Sequence, residues 1–181
     1  MTTYNIWPAE PTPASPSVPE GSPLTYGTRF KSSVAGTIDG VHWYRASGNT
    51  NAETLALYDN SGTLLASVTG PTGVSGWSRV NFASPVSILA NTPYVVVSYS
   101  PDGYLPFQSG LFSSAIISGP LTAYANADLA PGNGLYRDGV GLSFPTSGGN
   151  SNGYYVDVIF SDSPAGPSIP VIMNQYRQRA N

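Results

Sequence analysis

The chain has 181 residues, enough for one domain with a sizeable core plus tails. Charged residues make up 9% of it against 40% hydrophobic, the formal net charge is −3, and the seven basic residues are scattered. That balance excludes a charge-driven disordered chain and the clustered Lys/Arg footprint of a nucleic-acid binder. There is no cysteine, which excludes disulfides, thiol nucleophiles and thiolate metal sites, and no apolar run reaches the ~18–20 residues of a membrane-spanning helix.

Residues 1–23 are proline-punctuated: Pro8, Pro11, Pro13, Pro16, Pro19 and Pro23 fix φ, remove backbone donors and favour extended polyproline-like geometry. The segment reads as a linker or as an arm lying on a neighbouring subunit. The apolar group Tyr4, Ile6 and Trp7 at its far end favours the arm, because a spacer has no use for a Trp at its tip whereas buried aromatics dominate binding hot spots.

Residues 24–161 read as one antiparallel β-sandwich, jelly-roll or immunoglobulin-like. LTYGTRF (24–30) alternates, with Leu24, Tyr26, Thr28 and Phe30 on one face. Around Gly40, Val41 and Trp43 face one way, His42 and Tyr44 the other. TLALYD (54–59) and TLLASVT (63–69) flank Asn60-Ser61-Gly62, a hairpin signal that accounts for this oxygen-rich turn better than calcium binding does. SGWSRVNF (75–82), TPYVVVSYS (92–100) and GYYVDVIF (153–160) complete the strands, with no sustained helical period anywhere. Between the last two lies an irregular stretch, 104–152, rich in Gly, Ser and Asn with aromatics interspersed, which reads as packed loops. Residues 162–181 read as a frayed terminus or a second docking arm, with Ile169, Val171, Ile172 and Tyr176 as its buried anchors.

No catalytic constellation stands out. The lone histidine, His42, reads as ordinary sheet surface. Of the ten acidic residues, several sit in Asp-Gly or Asp-Asn turns and only Asp157 lies in a strong strand pattern, where it reads as solvent-facing. No carboxylate pair of the kind glycoside hydrolysis needs is recognisable, and neither cofactor nor metal is expected. Sugar binding needs flat amphipathic rings beside polar side chains. The candidates are Tyr104, Phe107, Tyr124, Tyr136 and Tyr154, all in or next to the long irregular stretch; the competing reading is that these rings pin loops to the sandwich.

Several stretches occur in the order of a recurrent bacterial domain of unknown function. They are RFKSSVAGTIDGVHWYR (29–45), SGNT (47–50), LALYDNSGTLLAS (55–67), SGWSRVNFASPVSILANTPYVVVSYSPDGY (75–104), NGLYRDG (133–139), FPTSG (144–148) and YYVDVIF (154–160). The chain resembles that family over roughly residues 28–161. The resemblance implies a β-sandwich of secreted surface proteins, where such domains stand beside immunoglobulin-like, fibronectin-type and lectin-like modules. It implies no catalytic residues.

The expected function is that of a non-enzymatic virion structural protein of a bacteriophage, a capsid decoration or tail-associated protein on the particle surface. It would be made in the host cytoplasm without a signal peptide. Its expected partners are major capsid or tail proteins and copies of itself, reached through both arms; nucleic acid and membrane are not expected. The alternative is a glycan-binding adhesion module contacting the host cell surface.

Overall fold

The structure, a computed structural model, describes residues 2–162. Their elements are strands, in chain order β1 (Thr3–Tyr4), β2 (Ser15–Pro19), β3 (Leu24–Ser32), β4 (Gly36–Arg45), β5 (Thr54–Asp59), β6 (Leu64–Thr69), β7 (Gly76–Ile88), β8 (Tyr94–Ser100), β9 (Tyr104–Phe107), β10 (Ile116–Ser118), β11 (Leu121–Ala123), β12 (Leu135–Asp138), β13 (Ser147–Gly148) and β14 (Val156–Asp162). All pairings are antiparallel. One sheet runs β1-β14-β4-β7; the larger runs β10-β11-β3-β8-β5-β6, with β12 also on β3. β2 and β9 form a separate two-stranded ribbon. The fold is the all-β antiparallel sandwich that the strand patterns predict.

The main core is built from the alternation. Tyr26 and Phe30 of β3, Leu55 and Leu57 of β5 and Val96 of β8 meet Ile38, Val41 and Trp43 of β4 and Val156, Val158 and Phe160 of β14. The opposite face of the large sheet is covered as well. Ala56, Tyr58, Val95, Val97 and Leu135 form a second cluster, closed by Leu142 and Phe144, with the Tyr58 and Phe144 rings edge to face at 5.5 Å. The irregular stretch thus forms an outer layer, which is why β3 and β8 are buried on both faces.

Side chains complete the ladder where strands stop. β11 and β12 share one edge of β3 and leave Thr28 and Arg29 between them. Asn133 fills the gap: its Oδ1 accepts from Arg29 N (2.8 Å) and its Nδ2 donates to Arg29 O (2.9 Å), replacing the missing strand rungs. At the β5–β6 turn, Asp59 accepts hydrogen bonds from Ser61 and Thr63, which hold its carboxyl down at about 2. Gly40 follows a bulge where β4 slips register against β7; a Cβ there would lie 2.2 Å from the Val80 carbonyl oxygen, so only glycine fits.

The N-terminal segment departs from the expected free arm. β1 adds to the edge of β14, pairing Thr3 with Ser161 and Tyr4 with Phe160. The chain then folds over the sheet. Asn5 Nδ2 donates to the Val158 carbonyl (2.6 Å), and the backbone N–H groups of Ile6 and Trp7 donate to the two carboxylate oxygens of Asp157 (2.8 and 2.9 Å). Ile6 and Trp7 are buried, the Trp7 ring lying 5.2 Å from Tyr155 and 6.2 Å from Trp77. Tyr4, Ile6 and Trp7 therefore anchor the segment to its own sandwich. The prolines allow this, because β2 is paired on one side only, to β9, and an edge strand with a bulge tolerates missing N–H groups.

Asp157 is corrected by the same packing: it is fully buried under the N-terminal strap, not solvent-facing. His42 is likewise fully buried, its ring 4.4 Å from that of Trp77, its Nε2 3.2 Å from Glu10 Oε1 and its Nδ1 3.6 Å from Asp157 Oδ2. A sheet face that the domain alone would leave open is roofed by residues 5–11. The second proposed arm, with Ile169, Val171, Ile172 and Tyr176, lies outside the described residues.

Candidate functional site

A cavity of about 380 Å³ opens where the β2–β9 ribbon meets the edge strands of the large sheet. That is within the ~300–1,000 Å³ typical of small-molecule sites. Its floor is apolar, made by the buried Leu24 and Leu105. Phe107, Tyr136 and Tyr154 supply rings, and Glu20, Asp138, Asn150 and Asn152 supply polar groups.

Each wall is placed by a specific piece of the fold. Phe107 lies on β9, which is held to β2 by the Ser15–Phe107, Val18–Leu105 and Pro19–Tyr104 pairs. Glu20 directly follows β2, fixed by its N–H to the Gly103 carbonyl (2.8 Å). Tyr136 and Asp138 project from β12, opposite Tyr26 and Leu24 of β3. Tyr154 sits just before a residue with left-handed backbone, Tyr155 (φ 52°). The rings diverge there: Tyr154 packs against Tyr26 (5.7 Å, edge to face) and Phe107 (6.3 Å), while Tyr155 lies under Trp7.

The rim formed by residues 148–153 is tied down on both sides. Gly149 N donates to Gly134 O, Asn152 N to Gly149 O, Phe112 N to Ser151 O, and Gly153 exchanges two hydrogen bonds with Gln108. Asn150 (φ 51°) and Ser151 (φ 67°) both adopt left-handed backbone. For a serine this costs on the order of 1 kcal/mol, and surrounding structure must hold it. A Cβ on Gly149 would come within 2.7 Å of the Tyr154 hydroxyl, so glycine here keeps that hydroxyl's place open.

Tyr154 has 6% of its surface exposed, and its hydroxyl has no hydrogen-bond partner among the described residues. Burial pushes its pKa up to about 12, with Tyr136, Glu20 and Asp138 adding to the rise, so the phenol stays protonated. The cavity therefore offers ring faces, a neutral unpartnered hydroxyl, two amide side chains and two carboxylates. That set suits a polyol whose C–H faces lie on rings while its hydroxyls find donors and acceptors.

Of the five aromatic residues singled out from sequence, Phe107, Tyr136 and Tyr154 come together here. Tyr104 and Tyr124 do not line the cavity. Tyr104 packs over Gly48, where a Cβ would come within 2.2 Å of its ring, and Tyr124 lies under Lys31 Nζ at 5.4 Å. The residues that sequence reasoning missed are the polar ones. Glu20 falls in the segment read as an arm, and Asp138 precedes Gly139 and reads as a turn residue; only the chain's return through β2 and β12 unites them.

Comparison with curated proteins finds no match. A family model described as "Domain of unknown function (DUF4082)" matches residues 10–156, a stretch that contains every residue lining the cavity. The chain thus belongs to the family described as Domain of unknown function (DUF4082).

Proposed function

We propose that the domain is a non-enzymatic glycan-binding module of a surface-exposed protein, and that the cavity between β9, β12 and the 148–153 rim holds the saccharide. The observation that carries this reading is the convergence of Phe107, Tyr136 and Tyr154 on one preformed cavity with the Tyr154 hydroxyl left unpartnered. Rings brought only to pin loops would fill such a space. Fixed walls favour binding because little ordering accompanies it. A single site of this size binds weakly, and many copies on one particle raise avidity by about 10²–10⁴-fold.

Tyr136→Ala removes a ring that is only partly buried, so its effect falls on the ligand more than on the fold. On a glycan array, wild-type chain clustered on beads is expected to retain a subset of glycans. Tyr136→Ala is expected to lower that binding at least about tenfold, near 1.4 kcal/mol, with the melting temperature shifted by only a few degrees. Unchanged binding by Tyr136→Ala would move the site elsewhere, and no binding by the clustered wild type would sink the reading.

Carriage on a bacteriophage particle, as a capsid decoration or tail-associated protein, is a compatible second proposal. Its support is the apolar group Ile169, Val171, Ile172 and Tyr176 near the C-terminus, since the corresponding N-terminal group is occupied within the sandwich. Removing residues 163–181 is expected to leave a folded, soluble sandwich that no longer enters particles. Normal incorporation of the shortened chain would rule out docking through this segment.

A further inference from the structure

We infer that the saccharide taken by this cavity carries a free amine, an amino sugar in its ammonium form and not its N-acetylated form. This rests on the glycan-binding reading and specifies its ligand.

Charge is the first ground. Glu20 and Asp138 both line the cavity, and neither takes part in an ion pair among the described residues; the pairs present use Glu10, Glu53 and Asp157 instead. Among the described residues no Lys, Arg or His lines the cavity, and the adjacent Arg137 is exposed outside the lining. Both side chains are exposed in the free chain, and a ligand seated between them displaces part of their water. A neutral sugar leaves them without a countercharge, whereas an ammonium group supplies one.

Hydrogen-bond capacity is the second and independent ground. The Tyr154 side chain is more than nine-tenths buried, its hydroxyl makes no hydrogen bond to another described residue, and the residue lines the same cavity as the two carboxylates. With carboxylates on hand the cavity is richer in acceptors than in donors. An ammonium donates three hydrogen bonds and accepts none, which matches that excess. An N-acetyl group offers one donor, adds an acceptor carbonyl, and replaces the charge with a methyl. The rings of Phe107, Tyr136 and Tyr154 reinforce the preference, since a cation over an aromatic face is attracted by its quadrupole. A bare divalent ion is less well served: it wants six or more oxygen ligands, and no group of three or more metal-ligating His, Cys, Asp or Glu residues occurs among the described residues.

The test uses the full chain and three probes of equal length: fully deacetylated glucosamine oligosaccharides, their fully N-acetylated counterparts, and cello-oligosaccharides. Calorimetry is done once with a chelator and once with added calcium, at a pH where the amine is protonated. The deacetylated probe is expected to bind at least about tenfold tighter than either other probe. The preference is expected to vanish in the Glu20→Gln/Asp138→Asn double variant, and Tyr154→Phe is expected to weaken binding severalfold. Asp128→Asn, which removes one charge outside the cavity, is expected to change nothing. Equal binding of all three probes, an equal loss in Asp128→Asn, or binding that needs calcium would each overturn the inference while leaving the glycan-binding reading in place. Failure of every probe together with an empty glycan array would remove both.

Discussion

Glu53→Gln is expected to cost about 3–5 kcal/mol, the range for removing one partner of a buried charged network, and to lower the melting temperature by roughly 6–20 °C at the ~2–4 °C per kcal/mol usual for a chain of this size. Glu53 is fully buried in the sandwich. Its Oε1 accepts from the Tyr26 hydroxyl (3.0 Å), Asn49 Nδ2 (3.1 Å) and Ser98 Oγ (3.1 Å); its Oε2 accepts from Trp43 Nε1 (3.1 Å) and lies 3.2 Å from Arg45 Nε. Burial pushes this carboxyl above its usual range against the pull of the Trp43, Tyr26 and Ser98 hydrogen bonds and the Arg45 charge. An amide has one acceptor oxygen to offer in place of two. Placed at the Oε2 position, its NH₂ meets the Trp43 and Arg45 donors head on. Placed at Oε1, it lets the two hydroxyls rotate to accept, but it orphans the Asn49 donor and leaves a nearly buried guanidinium without its countercharge. The loss spreads further, because Asn49 also binds Ser100 Oγ and Tyr104 O at the two ends of the β8–β9 turn. Calorimetric unfolding of Glu53→Gln and Glu53→Ala measures this. A loss under about 1 kcal/mol, the worth of an ordinary hydrogen bond, would show the network to be incidental.

How much of this was legible in the sequence depended on how far apart in the chain the contacting residues lie. The strands of the sandwich followed from alternation within a few residues, and Tyr94–Ser100 and the 54–69 hairpin carry their own boundaries. Trp7 was recognisable as an anchor, since nothing else explains a Trp among prolines, but which surface it anchors to is a matter of pairings with residues some 150 positions later. Asp157 read as solvent-facing for the same reason: on its own strand the alternation marks it as an outward position, and what covers it comes from the other end of the chain. The aromatic half of the cavity was visible because Phe107, Tyr136 and Tyr154 stand out in polar loops. Its acidic half was not, because Glu20 and Asp138 look like any other surface carboxylates until β2 and β12 flank the same opening. Glu53 was invisible as well: a lone Glu before a strand gives no sign that two tyrosine- and tryptophan-bearing strands will close over it.

Trp7→Ala is expected to destabilise the domain by about 3–5 kcal/mol, the cost of emptying a buried aromatic site. Truncation to Pro13 is expected to cost at least as much and to raise binding of hydrophobic dyes. The Trp7 ring is 6% exposed and fills the space between Phe112, Trp77 and Tyr155, at centroid distances of 6.3, 6.2 and 5.2 Å. Taking it away uncovers those rings as well as His42, which has no exit to water while the strap is in place. The strap is also held by polar contacts that an unstructured linker would lack: Asp157 to Ile6 N and Trp7 N, Trp77 Nε1 to Pro11 O at 3.0 Å, and Arg79 to Glu10 at 3.1 Å. Exposed pairs such as Arg79–Glu10 contribute little alone, so the weight falls on Trp7 and Asp157. Asp157→Asn, which keeps the shape but leaves one acceptor oxygen for three N–H donors, counting that of Val158, is expected to cost about 1–3 kcal/mol. Because Trp7 and Asp157 secure the same segment, the double variant is expected to lose less than the sum of the two single losses. A truncated chain that melts at the wild-type temperature would return residues 2–12 to the role of a linker and would reopen the N-terminal group as a docking arm.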